Sequence, residues 1–147
     1  MKIQELRIGN YLNYIEKMYV GEPDQTVAVS AIFENGIKTK EFGNTRMVTL
    51  KNFEYIPLTE EWLAKLGFEQ MSSYSSMDGF HWVTNHEIKG MEQYFTMFKG
   101  SQYDRNLPDK FYIEPFEIIN DNKVFINYVH QLQNLYFALT GTELITN

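Results

Sequence analysis

The stretch YVHQLQNLYFALT, residues 128–140, decides how the end of this chain is read. At 3.6 residues per turn, Val129, Leu132, Leu135, Tyr136 and Leu139 fall on one stripe. That spacing predicts an amphipathic helix over 128–140, with Asn127 placed to cap its start and Gly141 to end it at Thr140. The other side holds His130, Gln131, Gln133 and Asn134, with Phe137 beside them. No Asp, Glu, Lys or Arg occurs from Tyr128 to Gly141. A solvated helix face normally carries charge, so a polar but neutral flank has two readings. Either the helix packs across a sheet with both flanks partly covered, or Phe137, His130, Gln133 and Asn134 meet a protein partner or a second copy of the chain.

Upstream of this helix the pattern is mostly β. Residues 11–20, 25–33, 37–42, 45–50 and 53–56 read as short strands, the second of them alternating Val27, Val29, Ala31 and Phe33 on one face. Asn35-Gly36 between two such runs predicts a type I′ hairpin turn, whose central residues both need φ > 0. So many short strands must close on themselves or be covered, and a small SH3-like barrel is the economical arrangement. Thr59 then caps a short helix, Glu60 and Glu61 complement its dipole, and Gly67 ends it. A second run of strands follows at 68–71, 80–84, 87–89, 92–99 and 111–119, and residues 123–126 lead into the last helix. The fold class is therefore α+β. It comprises an N-terminal SH3-like β-meander or small barrel, a short central helix, a second antiparallel β segment and a C-terminal amphipathic helix packed on a sheet. The chain reads as one domain, 1–147, with 1–56 and 57–147 as its natural sub-structures.

Composition narrows the function classes. The aromatic share of 16% leans the core towards sheet, because Tyr and Phe favour strands. The absence of cysteine removes disulfides, thiolate zinc sites and cysteine nucleophiles. The first residues lack the apolar core of a signal peptide, and no apolar run approaches the roughly 20 residues that span a bilayer, so a cytoplasmic protein is expected. A net charge of −6 argues against nucleic acid, whose binders neutralise phosphates with a basic face. Lys38, Lys40, Arg46 and Lys51 are the nearest thing to such a face, and Glu41 interrupts them. They read as a solvated hairpin surface and, in the alternative, as the contact of a nucleic-acid-binding module.

The chemistry-bearing candidates are sparse. His81, His86 and Glu87 are the closest approach to a metal cluster, yet residues five apart on a strand point to opposite faces unless a turn at Thr84-Asn85 intervenes. His130 has no carboxylate on its own helix to orient it as a base. Tyr103, Asp104, Arg105 and Asp109 sit in a long polar connection, where paired carboxylates or an anion clamp are weighed against a solvated excursion. Tyr94, Phe95, Phe98, Phe111 and Tyr112 suit a base-stacking surface or, lacking interleaved basic residues, a core. No phosphate-binding glycine loop or nucleophile elbow is present, and no cofactor or metal is expected.

Three segments taken together carry a resemblance: Leu6-Arg7-Ile8-Gly9-Asn10, then Pro57-Leu58-Thr59-Glu60-Glu61-Trp62-Leu63, then residues 129–141. The combination resembles a family of small uncharacterised proteins from Bacteroidetes genomes and their phages and mobile elements. The resemblance implies a bacterial or phage context and brings no catalytic or binding residues with it. The expectation is a non-enzymatic interaction module acting through a protein partner or by self-association.

Overall fold

A computed structural model describes residues 1–16, 25–42, 46–72, 80–87, 94–100, 108–113 and 123–146. The chain is α+β, with two antiparallel sheets and a C-terminal helix. It divides into two compact units, Met1–Pro57 with Tyr128–Asn134, and Leu58–Asn127 with Leu135–Asn147.

The first unit is built on β1 (Tyr11–Tyr14), β2 (Gln25–Phe33), β3 (Gly36–Thr39) and β4 (Phe53–Glu54), ordered β3-β2-β1-β4. Where the sequence suggested a small SH3-like barrel, the described strands form this four-stranded sheet. Leu12 pairs with Val27 across β1 and β2, and both are fully buried. They join Leu6, Val29, Ile37, Val48 and Phe53 in one apolar core. The strand expected at 45–50 is reduced: Val48 makes a single bridge to Ile37, and Leu50–Asn52 turn as a 3-10 helix. Beyond β3 the ladder is continued by a side chain. The Lys40 N–H donates to the Ala28 carbonyl, and both oxygens of the Glu41 carboxylate accept from the Ala28 N–H at 3.1 and 3.0 Å.

The hairpin turn falls one residue earlier than Asn-Gly chemistry predicts. Phe33 pairs with Gly36, so Glu34 and Asn35 are the loop and Gly36 opens β3 outside the left-handed region. The reason for glycine there is steric: a Cβ on Gly36 would lie 2.5 Å from the Val48 carbonyl oxygen.

The second unit begins with α1 (Glu60–Lys65). Thr59 Oγ1 accepts from the Trp62 N–H at 3.2 Å, the expected N-cap. At the other end Gly67 has φ 82°, the Phe68 N–H reaches the Leu63 carbonyl and the Gly67 N–H reaches that of Ala64. This is a complete Schellman ending. The strands β5 (Glu69–Ser72), β6 (Phe80–Glu87), β7 (Tyr94–Lys99), β8 (Phe111–Ile113) and β9 (Val124–Ile126) follow as a meander in sequence order. Residues 123–126 were expected to lead into the helix; 124–126 instead complete the sheet, Phe111 pairing with Ile126. Rings interlock along the sheet, Trp82 edge-on to Phe111 at 5.3 Å and Phe98 stacked on Tyr112 at 5.5 Å.

The last helix, α2 (Val129–Thr140), begins one residue after the expected start and stops where predicted. Gly141 leaves it with φ 73°. Val129, Leu132 and Tyr136 of the predicted stripe are fully buried, while Leu135 and Leu139 are half-buried. Residues up to Asn134 belong with the first unit. In the second, Tyr136 packs its ring 5.3 Å from Phe95 on β7. No helix among the described residues is long and apolar enough to cross a membrane.

Gly36→Ala should lower stability by about 1–3 kcal/mol in a urea titration, the range for forcing a methyl into a packed site. The clash is with backbone, so trimming Met47 to Ala in the same chain should not restore it.

Candidate functional site

In the first unit, the neutral flank of α2 faces the segment that precedes β1. Arg7, Ile8, Gly9 and Asn10 form a turn closed by the Asn10 N–H on the Arg7 carbonyl at 3.2 Å. Gly9 sits third with φ 93°, the sign that a type II turn requires at that place. The turn cannot extend a β ladder over its whole length, so its polar backbone groups need partners from elsewhere. Val29 supplies two: its carbonyl takes the Gly9 N–H at 2.8 Å, and its N–H reaches the Asn10 carbonyl at 2.9 Å.

The helix supplies the rest. Gln133 is 1% exposed; its Oε1 accepts from the Tyr11 N–H at 2.9 Å and its Nε2 donates to the Gly9 carbonyl at 3.1 Å. Asn134 Oδ1 accepts from Asn10 Nδ2 at 3.0 Å, and Asn134 Nδ2 donates to the Glu5 carbonyl at 2.8 Å. Asn10, itself 1% exposed, uses its Oδ1 to accept the Arg7 N–H at 2.7 Å. Two of the three segments quoted above, 6–10 and 129–141, therefore meet directly. The third touches the same helix start through the bridge between Pro57 and Tyr128.

Of the two readings of the flank, this geometry fits the covered one at His130 and Gln133, while Asn134 is half-buried. Gln133 and Asn134 are engaged within the unit by the chain's own N-terminal segment, because buried backbone amides and carbonyls there must be paired. Phe137 lies in the second unit, half-buried, with its carbonyl accepting the Gly141 N–H at 2.8 Å.

His130 is 1% exposed and differs from its neighbours in having no hydrogen-bond partner for Nδ1 or Nε2 among the described residues. Its ring stacks on Tyr55, centroids 4.2 Å apart and planes 24° from parallel, with Tyr128 at 5.8 Å and 21°. Burial pushes the imidazole down to about 4, opposed by the nearby Glu5 charge. The Tyr55 hydroxyl donates to Glu5 Oε2 at 2.5 Å and accepts the Lys2 N–H at 2.9 Å. That hydrogen bond from Tyr55 holds Glu5 below the usual carboxylate range, while burial and the same Glu5 contact raise the Tyr55 phenol.

Among the described residues, the remaining polar candidates do not converge on one site. β6 runs unbroken through the Thr84-Asn85 pair, with a register irregularity between Val83 and Glu87. His81 lies half-buried 6.1 Å from the Phe98 ring, and the side chains of His86 and Glu87 are outside the described residues. No group of three metal-binding side chains occurs among the described residues. Tyr103, Asp104 and Arg105 also lie outside them; Asp109 is exposed, 3.6 Å from Lys99 Nζ, which also holds Glu60 at 3.0 Å. Phe95, Phe111 and Tyr112 are buried and Phe98 half-buried, which fits the core reading over the base-stacking one, while the side chain of Tyr94 is outside the described residues. Lys38 turns its Nζ over the Phe33 ring at 5.5 Å, while Lys40, Arg46 and Lys51 are exposed on three separate segments: after β3, before Val48 and in the 3-10 turn.

The turn and its bracing amides are what sequence reasoning missed. The available signal was the pairing of an Ile-Gly-Asn turn with a helix whose polar residues are all neutral.

Gln133→Ala should destabilise the protein by about 2–4 kcal/mol in chemical denaturation, since it strands the Tyr11 N–H and the Gly9 carbonyl. Gln133→Glu should rescue little, because a carboxylate accepts from Tyr11 but cannot donate to Gly9. No family model, no curated protein and no solved structure matches this chain.

Proposed function

We propose that this chain is a non-enzymatic interaction module that acts by self-association or by binding a protein partner, with the turn Arg7-Ile8-Gly9-Asn10 as a contact point. The observation that carries the reading is Ile8. It is 60% exposed at the apex of the turn, the most exposed large apolar side chain among the described residues. A single exposed apolar residue is ordinary on a protein surface. Ile8 differs in its support: Val29, Gln133 and Asn134 hold Gly9, Asn10 and Tyr11 after it, and Asn10 in turn holds Arg7 before it. An anchor already held in place loses little conformational freedom on binding, so more of its apolar contact appears as affinity.

Phe137 is kept as a second, independent contact candidate, to be probed by Phe137→Asp. The nucleic-acid alternative rests on Lys38, Lys40, Arg46 and Lys51, of which Lys38 is engaged with Phe33. The charge of −6 favours the protein-interaction reading.

Sedimentation velocity over a range of concentrations tests self-association. The wild-type chain should show a concentration-dependent species that weakens at least about tenfold in Ile8→Asp, roughly 1.4 kcal/mol. The circular dichroism of the variant should be unchanged, since an exposed substitution typically shifts stability within about 0.5 kcal/mol. A chain that stays monomeric throughout excludes self-association. The partner form then requires a photo-crosslinker at position 8 to label a discrete cellular protein that one at the exposed Glu69 does not. Equal labelling from both positions removes the turn as a contact.

A further inference from the structure

We infer that the first unit carries an acid-sensitive latch, in which proton uptake by His130 releases residues 128–134 from the N-terminal segment. The inference goes beyond the proposed function and does not depend on it. Its basis is geometric. The imidazole stacks on Tyr55 with the Tyr128 ring beside both, and its two nitrogens are buried and unpaired among the described residues. A neutral ring tolerates this at the expense of an unsatisfied donor and acceptor; an imidazolium brings two N–H donors and a full charge.

The groups around it do not provide for that charge. From the N-terminal side comes Glu5; from the residues after β4, Tyr55; from the start of the helix, Tyr128 and no charged side chain. Among the described residues Glu5 is the one anion acting on it, and its carboxylate already receives the Tyr55 hydroxyl and lies 3.8 Å from the Lys2 ammonium. His130 also stands in the first turn of α2, where the positive end of the helix dipole opposes a cation. The Tyr55 face attracts a cation, but neither N–H of the charged ring has an acceptor among the described residues, so charging favours leaving the stack for water. Gln133 and Asn134 follow about one turn along the same helix, so their bonds to Gly9, Tyr11, Asn10 and Glu5 open with it.

The sign follows from linkage. The closed state holds its imidazole proton more weakly than the open state, where His130 regains an ordinary value near 6.5. Closure is fully favoured above pH 6.5 and is lost as pH falls towards 4. Over that window the opening equilibrium should rise about tenfold per pH unit.

Amide hydrogen exchange read by NMR between pH 7 and 4.5, corrected for intrinsic rates, tests the latch. Protection of the Tyr11 amide, which bonds to Gln133, should fall about tenfold per pH unit below 6.5. The Ile37 and Val48 amides, each bonded to the other's carbonyl, should hold theirs. In parallel, the His130 ring resonance, separated from the others in a His81→Gln, His86→Gln background, should titrate well below 6.5. His130→Phe, which keeps a stacking ring, should abolish the pH dependence at Tyr11. Three results overturn the inference: an ordinary His130 titration, flat Tyr11 protection, or equal loss at Ile37 and Val48, which marks global acid unfolding. The wild-type measurements decide the matter even where His130→Phe does not fold.

Discussion

The pairing of two side-chain amides with a stretch of non-ladder backbone is the contact on which the first unit depends. Gly9, Asn10 and Tyr11 approach the helix with their own polar groups exposed to the interior. A primary amide is the side-chain group that both donates and accepts without charge. Gln133 therefore satisfies an N–H and a carbonyl at once, and Asn134 does the same one residue later. A lysine could serve only the carbonyls and a glutamate only the N–H groups, each burying an ionic charge in the process. The missing charge on this face of α2 is thus a requirement of the surface it meets.

The same helix shows the opposite case one turn earlier. His130 occupies a buried place without pairing its nitrogens, and aromatic stacking on Tyr55 takes the place of hydrogen bonds. The two environments differ in what they resist. The amides are indifferent to pH, whereas the imidazole stays uncharged only because its surroundings offer little to a proton. Tyr55 links them to the chain's start, since its hydroxyl is shared with Glu5 and the Lys2 backbone.

Much of the architecture was legible in the sequence because it is set by local chemistry. Alternation placed β2 at 25–33, Thr59 and Gly67 bounded α1, and the Gly141 signal ended α2 at Thr140. The failures share a cause in distant residues. Gly36 was read as a turn glycine, but Val48 explains it. Val124-Phe125-Ile126 is a short apolar run whose periodicity does not separate strand from helix entry, and its pairing with β8 decides it. Residues 45–50 have strand composition, yet among the described residues there only Val48 forms a bridge. The neutral flank of α2 was recognised as unusual and left with two readings, because the N-terminal groups it pairs with lie 122 to 129 residues away along the chain.

That separation bears on how the protein is made. Synthesis delivers Leu6 to Asn10 long before Gln133 and Asn134. The β1 to β3 meander has its pairing partners nearby in the sequence, but the turn before β1 has none on the helix side until residues 133 and 134 have emerged. The turn is therefore secured late, and completion of its unit is set by long-range closure, a slow kind of folding step. During translation Gly9, Asn10 and Tyr11 must stay solvated, so a nascent chain stalled before residue 133 would present an incomplete N-terminal unit to chaperones and proteases.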